Sequence, residues 1–376
     1  MKKICFVISS PNSARSFLTE HTHKLSEKYE VYLVANYENS DELSGLLLTD
    51  HKAIQIERRP KIFADLKALY QLYRYFRKEK FHIVHSISRK AGLLTAIAGF
   101  AARIPHRIQI FTGQIWATMS GAKRWFYVTL DKFVAFMNTE LLADGFSQRD
   151  YLIENGVVKE GQVQVLANGS ICGVNTKQFS KSKAVRNAIR EELSYGNNDI
   201  VFIYLGRLKG EKGTYELLEA FNKLSAEFKN TKLLLVGADE ENCINSITNY
   251  SNLVLGSNVV FYGHTKTPER LLQAGDIYCF PSYREGFGLA VLEASSVGLP
   301  VICSDIYGLK DTMVNNVTGI RCKVKDADSL YQAMKRLYID KNLREELGSN
   351  GQKRVVELFS TDVVTSSWIK FYDSLK

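Results

Sequence analysis

Two carboxylates, Glu285 and Glu293, lie eight residues apart in the segment Pro281-Ser282-Tyr283-Arg284-Glu285-Gly286-Phe287-Gly288-Leu289-Ala290-Val291-Leu292-Glu293. An apolar strand pattern, Asp276 to Phe280, precedes the segment, and a helical run from Leu289 to Val297 closes it. The first N–H groups of a helix are unpaired and its macrodipole is positive there, so such a turn favours anions. Gly286, Phe287 and Gly288 put close-approach backbone N–H groups at that turn, and Glu293 falls about two helical turns beyond Glu285. Carboxylates framing an anion-binding turn suit a ligand with both phosphate and hydroxyl groups, such as a nucleotide sugar. The plainer alternative is a helix start with an ordinary first-turn glutamate. A second constellation, Gly206-Arg207-Leu208-Lys209-Gly210-Glu211-Lys212-Gly213, lies between a strand pattern at 200–205 and a helical one at 215–224. Arg207 as a rigid fork and Lys212 as a point charge have the chemistry to pair with a diphosphate. The spacing fits neither GxGxxG nor GxxxxGK[ST]. Its weight comes from standing in the same half of the chain as the Glu285 segment, about 75 residues earlier.

Short apolar strand patterns alternate with helical periods along the chain, the signature of parallel α/β sheets. The first half reads as strands near 3–9, 31–35, 53–57, 82–87, 107–112, 140–144 and 163–167. The second reads as strands at 200–205, 232–236, 258–262, 276–280, 300–304 and 320–324. Between them lie amphipathic helices. In one, Ile62, Phe63, Leu66, Leu69, Tyr70, Tyr73 and Phe76 form an apolar stripe at the 3.6-residue period, with Lys67, Arg74, Arg77 and Lys78 off it. A seam at 168–182, rich in Gly, Asn, Ser and Lys, separates the halves, and the tail from 340 onward is helical. The expected architecture is two Rossmann-like parallel-sheet domains facing across a cleft, with ligands outside the carboxyl ends of the strands.

A length of 376 residues fits two domains better than one core. Apolar content of 45% and charged content of 24% are those of a soluble globular chain. The longest apolar stretch, Ala91 to Ala102, falls short of the roughly 20 residues that span a bilayer. The apolar run at Ile4 to Ile8 ends in Ser9-Ser10-Pro11-Asn12, so it reads as a first strand rather than a targeting segment. Six cysteines without CxxC spacing read as buried thiols of a reducing cytoplasm. The net charge of +9 is uneven: residues 1–175 hold 23 Lys and Arg against 16 Asp and Glu, and Arg58 to Lys90 alone carries ten basic and two acidic residues. A basic half of this kind serves nucleic acid, an anionic membrane surface or a phosphorylated acceptor, or is simply a solvated helix face.

The combination of motifs is specific. Gly206-Arg207-Leu208 through Lys212-Gly213, followed by Leu217-Leu218-Glu219-Ala220-Phe221, resembles the donor-phosphate motif of the family 4 retaining glycosyltransferases. Pro281 to Ala294 resembles that family's Glu-x7-Glu motif, and Gly298-Leu299-Pro300-Val301-Ile302 its usual next strand. Leu166-Ala167-Asn168-Gly169, leading to Phe179, is similar to its inter-domain connector, with Ala in place of Pro. The Tyr-Arg-Glu-Gly-Phe form is similar to bacterial enzymes that build O-antigen, capsule or glycoprotein glycans on polyprenyl diphosphate. The resemblance implies a GT-B fold with an acceptor-binding domain at 1–170, a nucleotide-sugar-binding domain at 171–360, and a helix at 361–376 packing back on the N-terminal domain. By motif position, Arg207 and Lys212, next to Gly206, would hold the diphosphate and offset charge on the leaving nucleotide. Glu285, beside Gly286, would face the sugar hydroxyls. Phe287, Gly288 and Leu289 would offer N–H groups to phosphate or sugar oxygens, and Glu293 would accept from the ribose diol. Arg207, Lys212 and Glu285 are the catalytic candidates. The donor is expected to be UDP-linked and the acceptor a polyprenyl-diphosphate-linked saccharide.

The first half departs from the family pattern. Its first loop is Ser9-Ser10-Pro11-Asn12-Ser13 where many members have a Gly-Gly pair, and Thr112-Gly113-Gln114 stands where many have a His. Ser10, Thr112 and Gln114 are therefore the candidates for that side of the cleft. His106 lies at the wrong end of its strand, and His85 is either a cleft residue or a structural one. The only Asp-x-Asp, Asp326-Ala327-Asp328, precedes a helical run and reads as a cap. Arg and Lys can substitute for a metal, so neither a metal nor a cofactor is expected. The basic helix 62–80 and the aromatic stretch 116–136 have the composition of interfacial segments, although helical aromatics are more often core. With a lipid-linked acceptor, the expectation is a cytoplasmic enzyme held on the inner face of the membrane. Rival readings are a GT-B-fold nucleotide-sugar epimerase or hydrolase, for which no His-rich cleft set is present, and a basic nucleic-acid-binding protein, for which basic and aromatic residues do not interleave along a groove.

Overall fold

The computed structural model describes residues 1–57 and 61–375; Arg58, Arg59 and Pro60 of the basic stretch, and Lys376 at the end of the expected C-terminal helix, lie outside the described residues. The chain divides into two compact units, Met1–Gly173 with Thr361–Lys376, and Val174–Ser360.

Unit 1 runs β1 (Lys2–Val7), α1 (Pro11–Leu25), β2 (Tyr29–Ala35), β3 (Asp50–Ala53), α2 (Ile62–Glu79), β4 (Ile83–Ser86) and α3 (Arg89–Ala101). It continues through β5 (His106–Phe111), α4 (Gly121–Met137), β6 (Glu140–Ala143), α5 (Phe146–Glu154) and β7 (Val163–Val165). The seven strands form one parallel sheet in the order β3-β2-β1-β4-β5-β6-β7. Its central strands are apolar on both faces because helices cover both, as right-handed crossovers on the two sides of β1 require. Cys5, Val7 and Val84 face α2 and α3, while Ile4, Phe6 and Ile8 face the opposite side with Leu18 of α1.

Two expectations are corrected here. The edge strand β3 ends at Ala53, where the alternation of Ile54 and Ile56 predicts a strand over 53–57. Those two isoleucines are buried, but only Ile54 still reaches the ladder, donating to the Ala35 carbonyl. Their pattern records burial; the paired residues are polar Asp50, His51 and Lys52, which suit a sheet edge. In α2 the sheet takes the arc of Ala68, Leu72, Tyr75 and Phe76. The expected stripe meets it only at Phe76 and, along its margin, Leu69 and Tyr73. Ile62, Phe63, Leu66 and Tyr70 are exposed. Apolar side chains wrap around this helix beyond the arc that the sheet covers, and periodicity does not say which part of them faces inward.

Unit 2 runs α6 (Lys183–Glu192), β8 (Ile200–Leu205), α7 (Thr214–Glu227), β9 (Thr231–Val236), β10 (Val259–Gly263), α8 (Pro268–Leu272) and β11 (Ile277–Phe280). It closes with α9 (Leu289–Ser296), β12 (Val301–Ser304), α10 (Tyr307–Lys310), β13 (Gly319–Cys322), α11 (Ala327–Ile339) and α12 (Lys341–Arg354). Its sheet is parallel throughout, in the order β10-β9-β8-β11-β12-β13. The strand order reverses between β8 and β11, which pair Phe202 with Ile277 and Ile203 with Tyr278. Asp276 fixes that pairing: its Oδ2 accepts the Val201 N–H at 2.8 Å while Arg186 and Arg190 of α6 hold both its oxygens.

The last helix, α13 (Thr361–Ser374), returns to unit 1 and packs on α1. Trp368 anchors it, fully buried between two imidazoles, with ring centroids 4.3 Å from His21 and 4.9 Å from His85. His21 Nε2 donates to the Ile171 carbonyl at 2.7 Å, and His85 Nδ1 is hydrogen-bonded to the Tyr372 hydroxyl at 2.6 Å. His85 is thus a core residue of unit 1. Burial depresses both imidazoles, His21 to about 4 and His85 to about 3. The unfolded chain takes up these protons near pH 6.5, where the folded chain does not. Stability is therefore full above that pH and is lost as pH falls toward 4. Urea unfolding should show a midpoint that drops steadily below about pH 6.5, and His21→Gln should flatten the slope by about 1.4 kcal/mol per pH unit.

Candidate active site

Both motif loops leave the carboxyl ends of adjacent strands in unit 2, on either side of the β8/β11 reversal, the position where open α/β sheets bind ligands. After β8, Gly206 to Lys209 lead into a short turn at Gly210–Lys212 and then α7. After β11, Pro281 to Gly288 lead into α9. The loops touch through the backbone: the Tyr283 N–H donates to the Glu211 carbonyl at 3.0 Å. Gly213, at φ +73°, is the hinge of this contact, since a Cβ there would lie 2.0 Å from the Pro281 carbonyl oxygen. Gly288 caps α9 at φ +69° against Leu309 of α10.

The side chains follow. Lys212 Nζ donates to Glu285 Oε1 at 2.6 Å, both side chains 14% exposed. Arg207 grips Glu240 with both carboxylate oxygens 3.1 Å from Nη1, at the open rim. Lys209 pairs with Glu211 at 2.9 Å, and Arg284 with the same carboxylate at 3.4 Å. These cations hold the Glu211 carboxyl below its ordinary range despite partial burial. Among the described residues, none accepts a hydrogen bond from the backbone N–H groups of Gly286, Phe287, Gly288 or Leu289. They are the unpaired donors of a helix start. The Glu293 carboxylate likewise has no hydrogen-bond or ion-pair partner among the described residues. Burial, with the Glu269 carboxylate adding to it, pushes its pKa up to about 7. The arrangement presents four cations, a row of N–H donors and an unpaired acid on the two strand-end loops and the helix that follows: chemistry suited to a diphosphate and to hydroxyl donors.

In unit 1 the sequence candidates sit at strand carboxyl ends. Ser10 is the residue before α1, half-exposed, its hydroxyl making no cap bond. Thr112 is half-exposed just past β5. Gln114 is buried, its amide oxygen accepting from Gln148 at 3.4 Å. His106 opens β5 and pairs with Glu140. Asp326 caps α11, accepting the Ser329 N–H at 2.7 Å, and Asp328 pairs with Lys223.

Sequence reading missed Glu240, Lys209 and Glu211 as partners in the rim, and Tyr283, whose hydroxyl donates to Glu216. Glu240 lies 33 residues from Arg207 and carries no motif of its own. Its signal is topological: it follows β9, the strand beside β8.

Comparison with known proteins shows the family. Residues 185–354 match the family described as glycosyl transferases group 1, and residues 19–169 match the glycosyl transferase 4-like domain. The chain is 33% identical over 323 residues to the capsular polysaccharide biosynthesis glycosyltransferase CapM of Staphylococcus aureus, covering 85% of this chain and 84% of that one. It is 28% identical to the Escherichia coli UDP-Gal:alpha-D-GlcNAc-diphosphoundecaprenol alpha-1,3-galactosyltransferase, covering 81% and 78%. In fold it is similar to Anabaena HepE, solved in complex with UDP and glucose, with a TM-score of 0.81 at 18% identity over the full length of both chains. A parallel-sheet pair with its cationic loops at the strand-order reversal, and a relative at this identity along most of its length, place the chain in family 4 of the GT-B glycosyltransferases, among those of bacterial glycan and capsule assembly.

Proposed function

We propose that the chain is a retaining glycosyltransferase that moves a hexose or N-acetylhexosamine from a UDP-sugar to a polyprenyl-diphosphate-linked saccharide at the inner face of the cytoplasmic membrane. One observation carries the reading: loops separated by more than 70 residues meet at the β8/β11 reversal with Lys212 2.6 Å from Glu285. Unit 2 takes the donor. Lys212 and Arg207 exchange their carboxylate partners for the diphosphate and offset the charge that builds on UDP as the glycosidic bond breaks. Glu285, released from Lys212, accepts from sugar hydroxyls, and the N–H groups at 286–289 cradle phosphate or sugar oxygens. Glu293 accepts from the ribose diol. The acceptor falls to unit 1, with Ser10, Thr112 and Gln114 at its strand ends. Since protein cations supply the charge, no metal or cofactor takes part. The UDP-linked donor and lipid-linked acceptor are supported by what the name of the Escherichia coli relative says of that enzyme.

The test is a panel of UDP-sugars with a polyprenyl-diphosphate-sugar acceptor, read by product mass, UDP release and anomeric configuration. Transfer with retention, undiminished by a chelator, is the expected result. An isomerised nucleotide sugar formed without acceptor, or no UDP release across the panel, would overturn the reading.

Lys212→Met should lower turnover by about 100-fold or more, because the leaving diphosphate loses its buried cation. Glu240→Gln should act in the opposite direction on binding. The Arg207 pair is half-exposed, and releasing it should tighten UDP up to about fivefold in calorimetry.

The raised Glu293 carboxyl gives a pH signature. The ionised form makes the stronger, charge-assisted bonds to hydroxyls. UDP binding should therefore release a proton near neutral pH and tighten between about pH 6 and pH 8, beyond the titration of UDP itself. Glu293→Gln should remove that extra step and lower the affinity at the alkaline end.

A further inference from the structure

Helices α2, α3 and α4 lie side by side on one face of the unit 1 sheet, α3 packing between the other two. Their sides turned from the sheet are apolar. On α2, Ile62 is 75% and Phe63 89% exposed, with Leu66 beside them. On α4, Trp125 is 69% and Phe136 76% exposed, with Phe126 and Phe133 also open. Phe100 of α3 is half-exposed between the two. Scattered apolar residues are ordinary on a surface; a cluster of large ones on each of the two helices flanking α3 is not.

The charges on the same helices are one-sided. Four Lys and Arg residues lie on α2, two on α3 and three on α4, against Asp65, Glu79 and Asp131. Each of those acids is accounted for: Asp65 pairs with Lys90, Glu79 with Lys3, and Asp131 is buried, accepting from Trp116 Nε1 at 2.7 Å. Lys67, Arg74, Arg77, Lys123 and Lys132 remain on the open surface, as does Lys78, which also reaches Glu79 at 3.4 Å. A second copy of this chain meeting the patch by two-fold symmetry would set cations against cations. An anionic bilayer matches both components, with headgroups for the lysines and arginines and the acyl boundary for the apolar clusters. Among the described residues no helix is long and apolar enough to cross a membrane, so this contact is one that lies in the interface plane.

We infer that the outer face of α2, α3 and α4 is a membrane-docking surface that inserts Ile62, Phe63, Leu66, Trp125 and Phe136 into an anionic leaflet while Lys67, Arg74 and Lys78 bind its headgroups. The inference deepens the membrane placement proposed above and rests on it. The protein carries its own reporter, because Trp116 and Trp368 are buried and Trp125 is the exposed tryptophan of the three. With the full chain and vesicles of phosphatidylcholine and phosphatidylglycerol, Trp125 emission should shift to the blue and be quenched by brominated lipid. Trp125→Phe should abolish the shift. Phosphatidylcholine vesicles alone should bind about tenfold more weakly, and added salt should weaken the anionic case. The variants Phe63→Ser/Leu66→Ser/Phe136→Ser and Lys67→Glu/Arg74→Glu/Lys78→Glu should each lose about tenfold or more in vesicle affinity, with circular dichroism melts checking the fold. No shift on anionic vesicles overturns the surface, as does a shift that grows with protein concentration in their absence, which would assign the face to self-association. UDP binding in the same samples reports the glycosyltransferase reading separately: a chain that binds UDP but no vesicles loses the surface alone.

Discussion

The candidate active site depends on the pairing of β8 with β11. These strands are separated by α7, β9, β10 and α8 in the chain, yet they are neighbours in the sheet, and the strand order reverses between them. That reversal sends the helices after β8 and β11 to opposite faces and leaves the strand-end space between the two loops uncovered. Everything chemical at the rim follows from the adjacency. Gly213 lets the first loop press against Pro281, the Tyr283 N–H ties the second loop to Glu211, and Lys212 then reaches Glu285. Asp276 secures the pairing from the other end of β11, with two arginines neutralising it so that it can accept from Val201. The loss of either arginine would leave a carboxylate short of a partner at the root of the site.

The rim is charged in a particular way. Each cation that a diphosphate would use is already engaged by a carboxylate: Lys212 by Glu285, Arg207 by Glu240, Lys209 by Glu211. The cations are thereby held in place and their mutual repulsion is offset. The arrangement also fixes what a ligand must do, since an anion entering here competes with an existing ion pair rather than filling an empty positive pocket. Buried and exposed pairs differ in how much they resist. The Lys212 pair is largely shielded from water, while the Arg207 pair stands at the rim, where such contacts are worth little.

The strand positions were legible because a parallel sheet buried on both faces writes itself as short apolar runs. Among the described residues, twelve of the thirteen strands fall where such runs occur; the edge strand β3, with its polar Asp50, His51 and Lys52, does not. The two motif loops were legible because glycine, arginine, lysine and glutamate at fixed spacing are rare together at strand ends. Long-range pairing was not. Glu240 meets Arg207 only because β9 lies beside β8, and nothing near Glu240 announces it. The outward apolar arc of α2 was also hidden. A period of 3.6 locates apolar residues on a helix, but Ile62 and Phe76 belong to the same stripe although one is exposed and the other buried. His85 was ambiguous for a related reason: its position at a strand end fits a ligand contact, while its true neighbours, Trp368 and Tyr372, lie almost 290 residues away.

That separation bears on how the protein is made. Unit 1 encloses its own last helix: Trp368 lies between His21 and His85, and Lys2 Nζ donates to the Leu375 carbonyl. Domains usually fold in the order they leave the ribosome, the first one first. Here the core of the first unit lacks its central aromatic until residue 368 has been synthesised, after all of unit 2. Unit 2, whose residues are continuous from Val174 to Ser360, has all of its strands in hand earlier. Unit 1 starts before unit 2 and is completed after it, and until then its sheet presents an uncovered apolar face where α13 will lie.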